Sequence, residues 1–373
     1  MLPPRETDSP GDPRPPWDRA SRPFAGRPGR RPEGVGGGAA PVVPAWAPMP
    51  SIGLVLGAGG TAGFGYHIGT LAALAEATGW DPRTADLIVG TSAGANVAAS
   101  LRAGVSIADH HAHGQGGPMS ADGAAIGRYR GLDELGIPPA PGLSPAAFLR
   151  PAAPWLALPA CFPPFPWRLG LLAGLLPVGT VSGAPLGERV RDLFGGPWPD
   201  APTWVCATRV RDGRRVVFGR DDEDTDLGTA VVASSAVPAY IQPPRVNGHR
   251  YLDGALVSPT SADLVARLAF DLVVVVSPMS GGGEGAPFGR SIFTRLLERE
   301  VSTIREHGTP VLAIEPTAAD TEALLRAASD TERVREMARS AHTGAPSWLE
   351  HPDSARALAI LRSAASAPVA PTP

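Results

Sequence analysis

Two short segments of this chain carry residue types suited to covalent chemistry. Ser92 lies in Gly90-Thr91-Ser92-Ala93-Gly94, a G-x-S-x-G pattern, and Asp253 lies in Asp253-Gly254-Ala255. A serine hydroxyl attacks an acyl carbon only when a base removes its proton and nearby donors receive the charge that forms on the carbonyl oxygen. The stretch Gly57-Ala58-Gly59-Gly60-Thr61-Ala62-Gly63 can supply such donors as backbone N–H groups. The chemistry these residues suit is acyl transfer through a covalent serine intermediate.

That chemistry needs elements to hold it. The run Asp86-Leu87-Ile88-Val89 reads as a strand feeding the Ser92 segment, and residues 95–103 are helix-prone, closed by Gly104. Strand, sharp turn and helix make a nucleophile elbow. The turn pushes the hydroxyl out at a helix mouth, and glycines flank it because side chains there would collide with strand or helix. The helix start adds unpaired N–H groups and partial positive charge. Upstream, Ile52-Gly53-Leu54-Val55-Leu56 reads as a buried strand leading into the glycine loop, followed by a helix over 64–77 that Gly79 stops. These pieces predict a βαβα unit on a parallel sheet.

Residues 105–183 loosen into Pro, Gly, Trp and Leu clusters and are expected to form an insertion or lid over the site. Hairpin signals return at 203–219, around Asp212-Gly213, and at Asn247-Gly248. Two further buried strands are expected over 272–277 and 310–315, with a helix over 293–307 between them and helix formers over 318–340. The expected organisation is a disordered tail over 1–49, a catalytic domain over 50–345, and a C-terminal helical segment and tail over 346–373. The tail is rich in proline and glycine and carries seven arginines against five acids, with almost no apolar periodicity.

Composition narrows the function. The net charge is −3 from 33 basic and 36 acidic residues, without a basic stripe, which argues against nucleic acid as a partner. Every basic residue is arginine, as in a coding sequence rich in G and C. Two cysteines, Cys161 and Cys206, make no disulfide framework and no zinc motif, so a reduced, cytoplasmic setting is expected. No stretch reaches the ~20 apolar residues that span a bilayer.

Each motif has a competing reading. A glycine-rich turn between strand and helix also holds dinucleotide pyrophosphate, but here the register is Gly57-x-Gly59-x-x-Ala62 and the second strand does not end in an acid. The base could be a late histidine, His307, His342 or His351, although none follows a strand in a glycine-flanked loop. Asp253 follows Arg250-Tyr251-Leu252 and precedes Gly254, which fits a carboxylate delivered by a strand end and equally an ordinary turn aspartate. The cluster Asp109-His110-His111 with His113 reads as a solvated loop, with no metal expected. The aromatic and Leu-rich stretch 155–176 reads as a packed lid that could also meet a lipid surface.

Residues 54–74, the Ser92 elbow, and the block Ala233-Ser234-Ser235-Ala236-Val237-Pro238 running on to Asp253-Gly254-Ala255 together resemble the patatin-like phospholipase family. Their order and spacing agree over roughly 52–277. The resemblance implies a three-layer α/β/α fold with a mostly parallel central sheet, and a lipid acyl-ester hydrolase with no cofactor. Carried onto this chain, it implies a Ser-Asp dyad in which Ser92 is the nucleophile and Asp253 the base, with Gly59, Gly60 and Gly63 forming the oxyanion hole. A lipid or other acyl ester would be the substrate, with peripheral membrane contact. The chain departs from the pattern at Ala58, where the family's loop has its first glycine, and at Ala62, where many members carry a cation. A Ser-His-Asp esterase of α/β-hydrolase type and a catalytically weak lipid-binding or scaffold protein are the alternatives.

Overall fold

The computed structural model describes residues 49–125, 141–142, 144–160, 169–194, 196–221, 224–282, 288–327 and 329–366. Residues 1–48 of the expected tail and the aromatic cluster at 162–167 lie outside them. The sheet has eight strands: β1 (Ile52–Leu56), β2 (Leu87–Thr91), β3 (Thr203–Arg209), β4 (Arg215–Phe218), β5 (Arg245–Val246), β6 (His249–Asp253), β7 (Leu272–Val276) and β8 (Val311–Ile314). Their order is β5-β6-β3-β2-β1-β7-β8, with β4 also pairing β3. The pairs β1–β2, β1–β7, β2–β3 and β7–β8 are parallel, whereas β4 and β6 run antiparallel to β3. Strands β1, β2 and β7 are buried at every position, as continuous apolar runs must be when both faces of a parallel sheet are covered.

Helices of eight or more residues are α1 (Gly60–Thr78), α2 (Ala93–Arg102), α3 (Ile107–Gly114), α4 (Ala184–Leu193), α5 (Leu227–Ser234), α6 (Phe288–Glu306), α7 (Ala318–Arg326), α8 (Asp330–Thr343) and α9 (Ala355–Ala365). They lie on two faces because successive strand side chains point opposite ways. Leu54, Leu56, Val274 and Ile314 pack with Leu71, Val97, Met337 and Leu361 of α1, α2, α8 and α9. The alternate residues Val55, Val273 and Val275 pack with Leu297, Val301 and Ile304 of α6. Helices α4 and α5 extend the first layer over β3, β4 and β6. The architecture is an α/β/α sandwich on a mostly parallel sheet, as expected.

Three local differences from the sequence reading have physical causes. Helix α1 begins at Gly60 rather than 64, so the glycine loop runs straight into the first helical turn. The stretch around 109 is not a solvated loop: Ser106 caps α3 by accepting from the Asp109 N–H, and Asp109 and His110 are buried. Ile107 sits in the main core, which makes this part of the expected insertion integral to the sandwich. Farther along, Ala153, Leu156 and Leu171 form a separate apolar cluster with Leu252 and Leu256, packing the insertion against the chain on either side of Asp253. None of the described helices is long and apolar enough to cross a membrane.

Candidate active site

Strand β3 acts as a ruler for the site. Its residues 203–206 pair with β2 and 207–209 with β6, while β4 pairs across 205–208. Because β4 overlaps both registers, β2 and β6 must share the opposite edge of β3. They approach from opposite directions, with Thr91 opposite Cys206 and Asp253 opposite Ala207. Two strand ends far apart in the chain therefore meet at neighbouring β3 residues. Gly254 sits at that junction, where a Cβ would strike the Cys206 carbonyl and come within 3.0 Å of the Thr91 side chain.

Ser92 occupies the elbow with φ 54° and ψ −115°, a conformation uncommon for a residue with a side chain. The surroundings hold it there. Its N–H donates to Ser234 Oγ at 2.8 Å, and that hydroxyl donates on to the Cys206 carbonyl at 2.6 Å. Its carbonyl accepts from the Asn96 side chain at 3.1 Å. A Cβ on Gly90 would lie 2.5 Å from Ala95 Cα, and one on Gly94 would run into the Leu56 carbonyl, so the elbow closes only with glycine at both places.

The Ser92 side chain lies close enough to the Asp253 carboxylate to lower its pKa. Asp253 is fixed through its backbone: its N–H donates to the Ala236 carbonyl at 3.0 Å and its carbonyl accepts from Thr208 Oγ1 at 2.9 Å. The Ala255 N–H donates to Oδ1 at 2.8 Å and aims the carboxylate. Burial pushes the Asp253 carboxyl up to about 6, against the pull of the Ala255 N–H and the Ser92 hydroxyl. That shift moves an otherwise weak base toward neutral pH, where general-base catalysis is most effective.

The glycine loop and the elbow are joined at one oxygen. The Gly57 carbonyl accepts from Gly94 N–H at 3.2 Å and from His67 Nε2 at 2.7 Å. Burial lowers His67 to about 4, so its ring is neutral and donates from Nε2 to this acceptor. Ala58 N–H donates to the Pro259 carbonyl at 2.8 Å. Segment 258–262, which carries that carbonyl, is strapped to Glu300 of α6 by Ser258 Oγ, Thr260 Oγ1 and Ala262 N–H at 2.5, 2.5 and 2.9 Å.

The three loop glycines part company in the structure. Gly63 N–H donates to the Gly59 carbonyl at 2.8 Å, closing the first helical bond, so it is not free to meet a substrate oxygen. The close approach constrains Gly59 instead, since a Cβ there would sit 2.6 Å from Gly63 Cα. Gly60 has φ +59° with open space beside it. Helix α1 starts here, and its opening N–H groups lack intrahelical acceptors. Ala93, the first residue of α2, contributes a further N–H of the same kind beside Ser92.

The histidine alternatives lie elsewhere. His307 Nδ1 is bonded to the Thr303 carbonyl, His342 to Glu76, and exposed His351 lies beside Asp353. Sequence reasoning missed Ser234, the Ala236 carbonyl, His67, Glu300 and Ala93. Ser234 and Ala236 belong to the block quoted above on resemblance, which had no physical role attached; the other three had no such signal apart from Ala93's place after the serine. Residues 157–266, which include β3 to β6 and Asp253, match the family model described as Patatin-like phospholipase, the same family that the motifs resemble.

Proposed function

We propose that the chain is a serine hydrolase of lipid acyl esters working through Ser92 and Asp253. The observation that carries this reading is the β3 register, which sets the strand end before Ser92 beside the strand end that bears the buried Asp253 carboxylate. The family match supports a lipid acyl hydrolase in the broader sense. In the first step Ser92 Oγ attacks the ester carbon while Asp253 takes the hydroxyl proton. The N–H groups of Gly59, Gly60 and Ala93 receive the oxyanion. Protonated Asp253 then gives its proton to the departing alkoxide, leaving an acyl-Ser92 ester. Water attacks that ester as Asp253 takes its proton, and collapse returns the proton to Ser92 Oγ and frees the fatty acid. The scheme needs no cofactor.

Lipid as the substrate draws further support from the described part of the insertion. Phe148, Leu149, Trp155, Leu158 and Leu175 are exposed there, a concentration of large apolar side chains suited to the rim of an acyl site or to peripheral contact with a lipid surface. A cytoplasmic setting, with lipid reached from that side, is part of this reading. The test is labelling with an alkyl fluorophosphonate beside hydrolysis of phospholipid and p-nitrophenyl esters. Wild type should carry one label on Ser92, Ser92→Ala none, and Asp253→Asn should lose at least about 1000-fold in turnover. Activity of Asp253→Asn equal to wild type, or no label on folded wild type, would overturn the proposal.

A further inference from the structure

Three helices bring metal-binding side chains together far from Ser92. Glu76 comes from α1, His111 from α3 and His342 from α8, and one ligand atom from each lies within 4.8 Å of the others. His342 Nε2 is 2.9 Å from Glu76 Oε2, and the His111 and His342 rings stack with centroids 4.7 Å apart and planes 26° apart. We propose that Glu76, His111 and His342 form a binding site for a borderline divalent cation, with zinc the best occupant. The proposal is independent of the function assigned to Ser92.

The scaffold is built before any ion arrives. Helices α1 and α8 touch backbone to backbone, since a Cβ on Gly65 or Gly69 would run into the carbonyls of Val334 or Ala338. His342 lies one turn beyond Ala338 on α8, and Glu76 two turns beyond Gly69 on α1. Helix α3 is tied to α8 through Gln115, whose amide donates to the Arg335 carbonyl at 3.2 Å and accepts from Arg339 at 3.1 Å. These contacts fix the backbones that carry the two histidines. Glu76 is the adjustable member, with its side chain 65 % exposed.

Two imidazoles and one carboxylate are a ligand set that zinc takes with water in the fourth position. Bonds of about 2.0–2.1 Å in a tetrahedron put ligand atoms roughly 3.4 Å apart. The 2.9 Å pair must open slightly and the longer spacings must close, movements that an exposed glutamate and a turn of the His111 ring can provide. The site would not take part in acyl transfer. Glu76 lies sixteen residues along α1 from Gly60, about 24 Å at 1.5 Å per residue. A bound ion would staple α3 and α8 to the far end of α1.

The 373-residue chain titrated with Co2+ and then Zn2+ tests this, and residues 1–48 contain no histidine or cysteine to compete. One Co2+ per chain should bind, with the intense visible bands of a low-coordinate ion. Zn2+ should displace it and raise Tm, and chelation should reverse that rise. His111→Gln and His342→Gln should each weaken binding by at least about tenfold, with metal-free circular dichroism unchanged. If either variant misfolds, the wild-type cobalt spectrum still decides the coordination. An octahedral-type weak spectrum, no saturable binding at micromolar metal, or binding that survives both substitutions overturns the site.

Discussion

At the scale of single residues, Asp253 carries opposite demands. Its folded-state pKa is about 6 against an ordinary 3.8, so ionising it inside the protein costs stability. The contribution is fully present below the unfolded value near 3.8 and is lost as pH rises through about 6. Two units correspond to about 3 kcal/mol. Asp253→Asn should therefore raise the urea midpoint at pH 8, and the gain should vanish near pH 4. On the reading above, wild-type kcat/KM rises with pH through about 6 as the base ionises, and the same variant that gains stability loses turnover. The serine and its glycines were legible because each motif states a local steric need, a hydroxyl at a turn and two positions with no room for Cβ. Asp253 was only half legible. A strand-end aspartate followed by glycine reads the same whether its carboxylate faces solvent or a serine, and what separates the two is the β3 register. Ser234 and His67 were invisible because their task is a bond to a backbone atom whose position depends on the whole fold.

At the scale of elements, the strap from α6 matters more than its distance from Ser92 suggests. Glu300 accepts three hydrogen bonds from segment 258–262, and the Pro259 carbonyl within that segment holds Ala58 of the glycine loop. Burial and the neighbouring Asp263 charge raise Glu300 to about 7. Glu300→Ala leaves those donors unpaired and should destabilise by about 3 kcal/mol or more. Glu300→Gln keeps an acceptor and should cost less. Because the wild type loses stability as Glu300 ionises through about 7, the deficit of Glu300→Gln should shrink between pH 5.5 and pH 8.5 in urea titrations. Strands β1, β2, β7 and β8 were readable as apolar runs. The start of α1 was not, because glycine is a poor helix former and only the tertiary setting recruits Gly60 into the first turn. Helix α3 was hidden by its polar composition, although Ser106 three residues before Asp109 was an available start signal.

At the scale of the whole molecule, the insertion and the sheet divide the labour. Leu149 and Leu158 project from the described insertion at 84 % and 66 % exposure, while Leu156 and Leu171 anchor it over Leu252 and Leu256. Leu149→Asp combined with Leu158→Asp should lower hydrolysis of vesicle phospholipid by at least about tenfold and leave a soluble p-nitrophenyl ester nearly unaffected, with Tm unchanged. Equal activity on both substrates would remove the lipid-contact reading. The strand order was beyond the sequence, since local patterns give strands and not their neighbours. Yet that order sets how the protein can change over time. The spacing between Ser92 and Asp253 is fixed by Cys206 and Ala207 on one edge of β3, not by the lengths of chain that connect them. The segment between α3 and α4 can be lengthened, shortened or exchanged without moving either side chain. On the proposed function, substrate range is therefore free to diverge, and lids from relatives should be graftable, while Ser92 and Asp253 stay where they are.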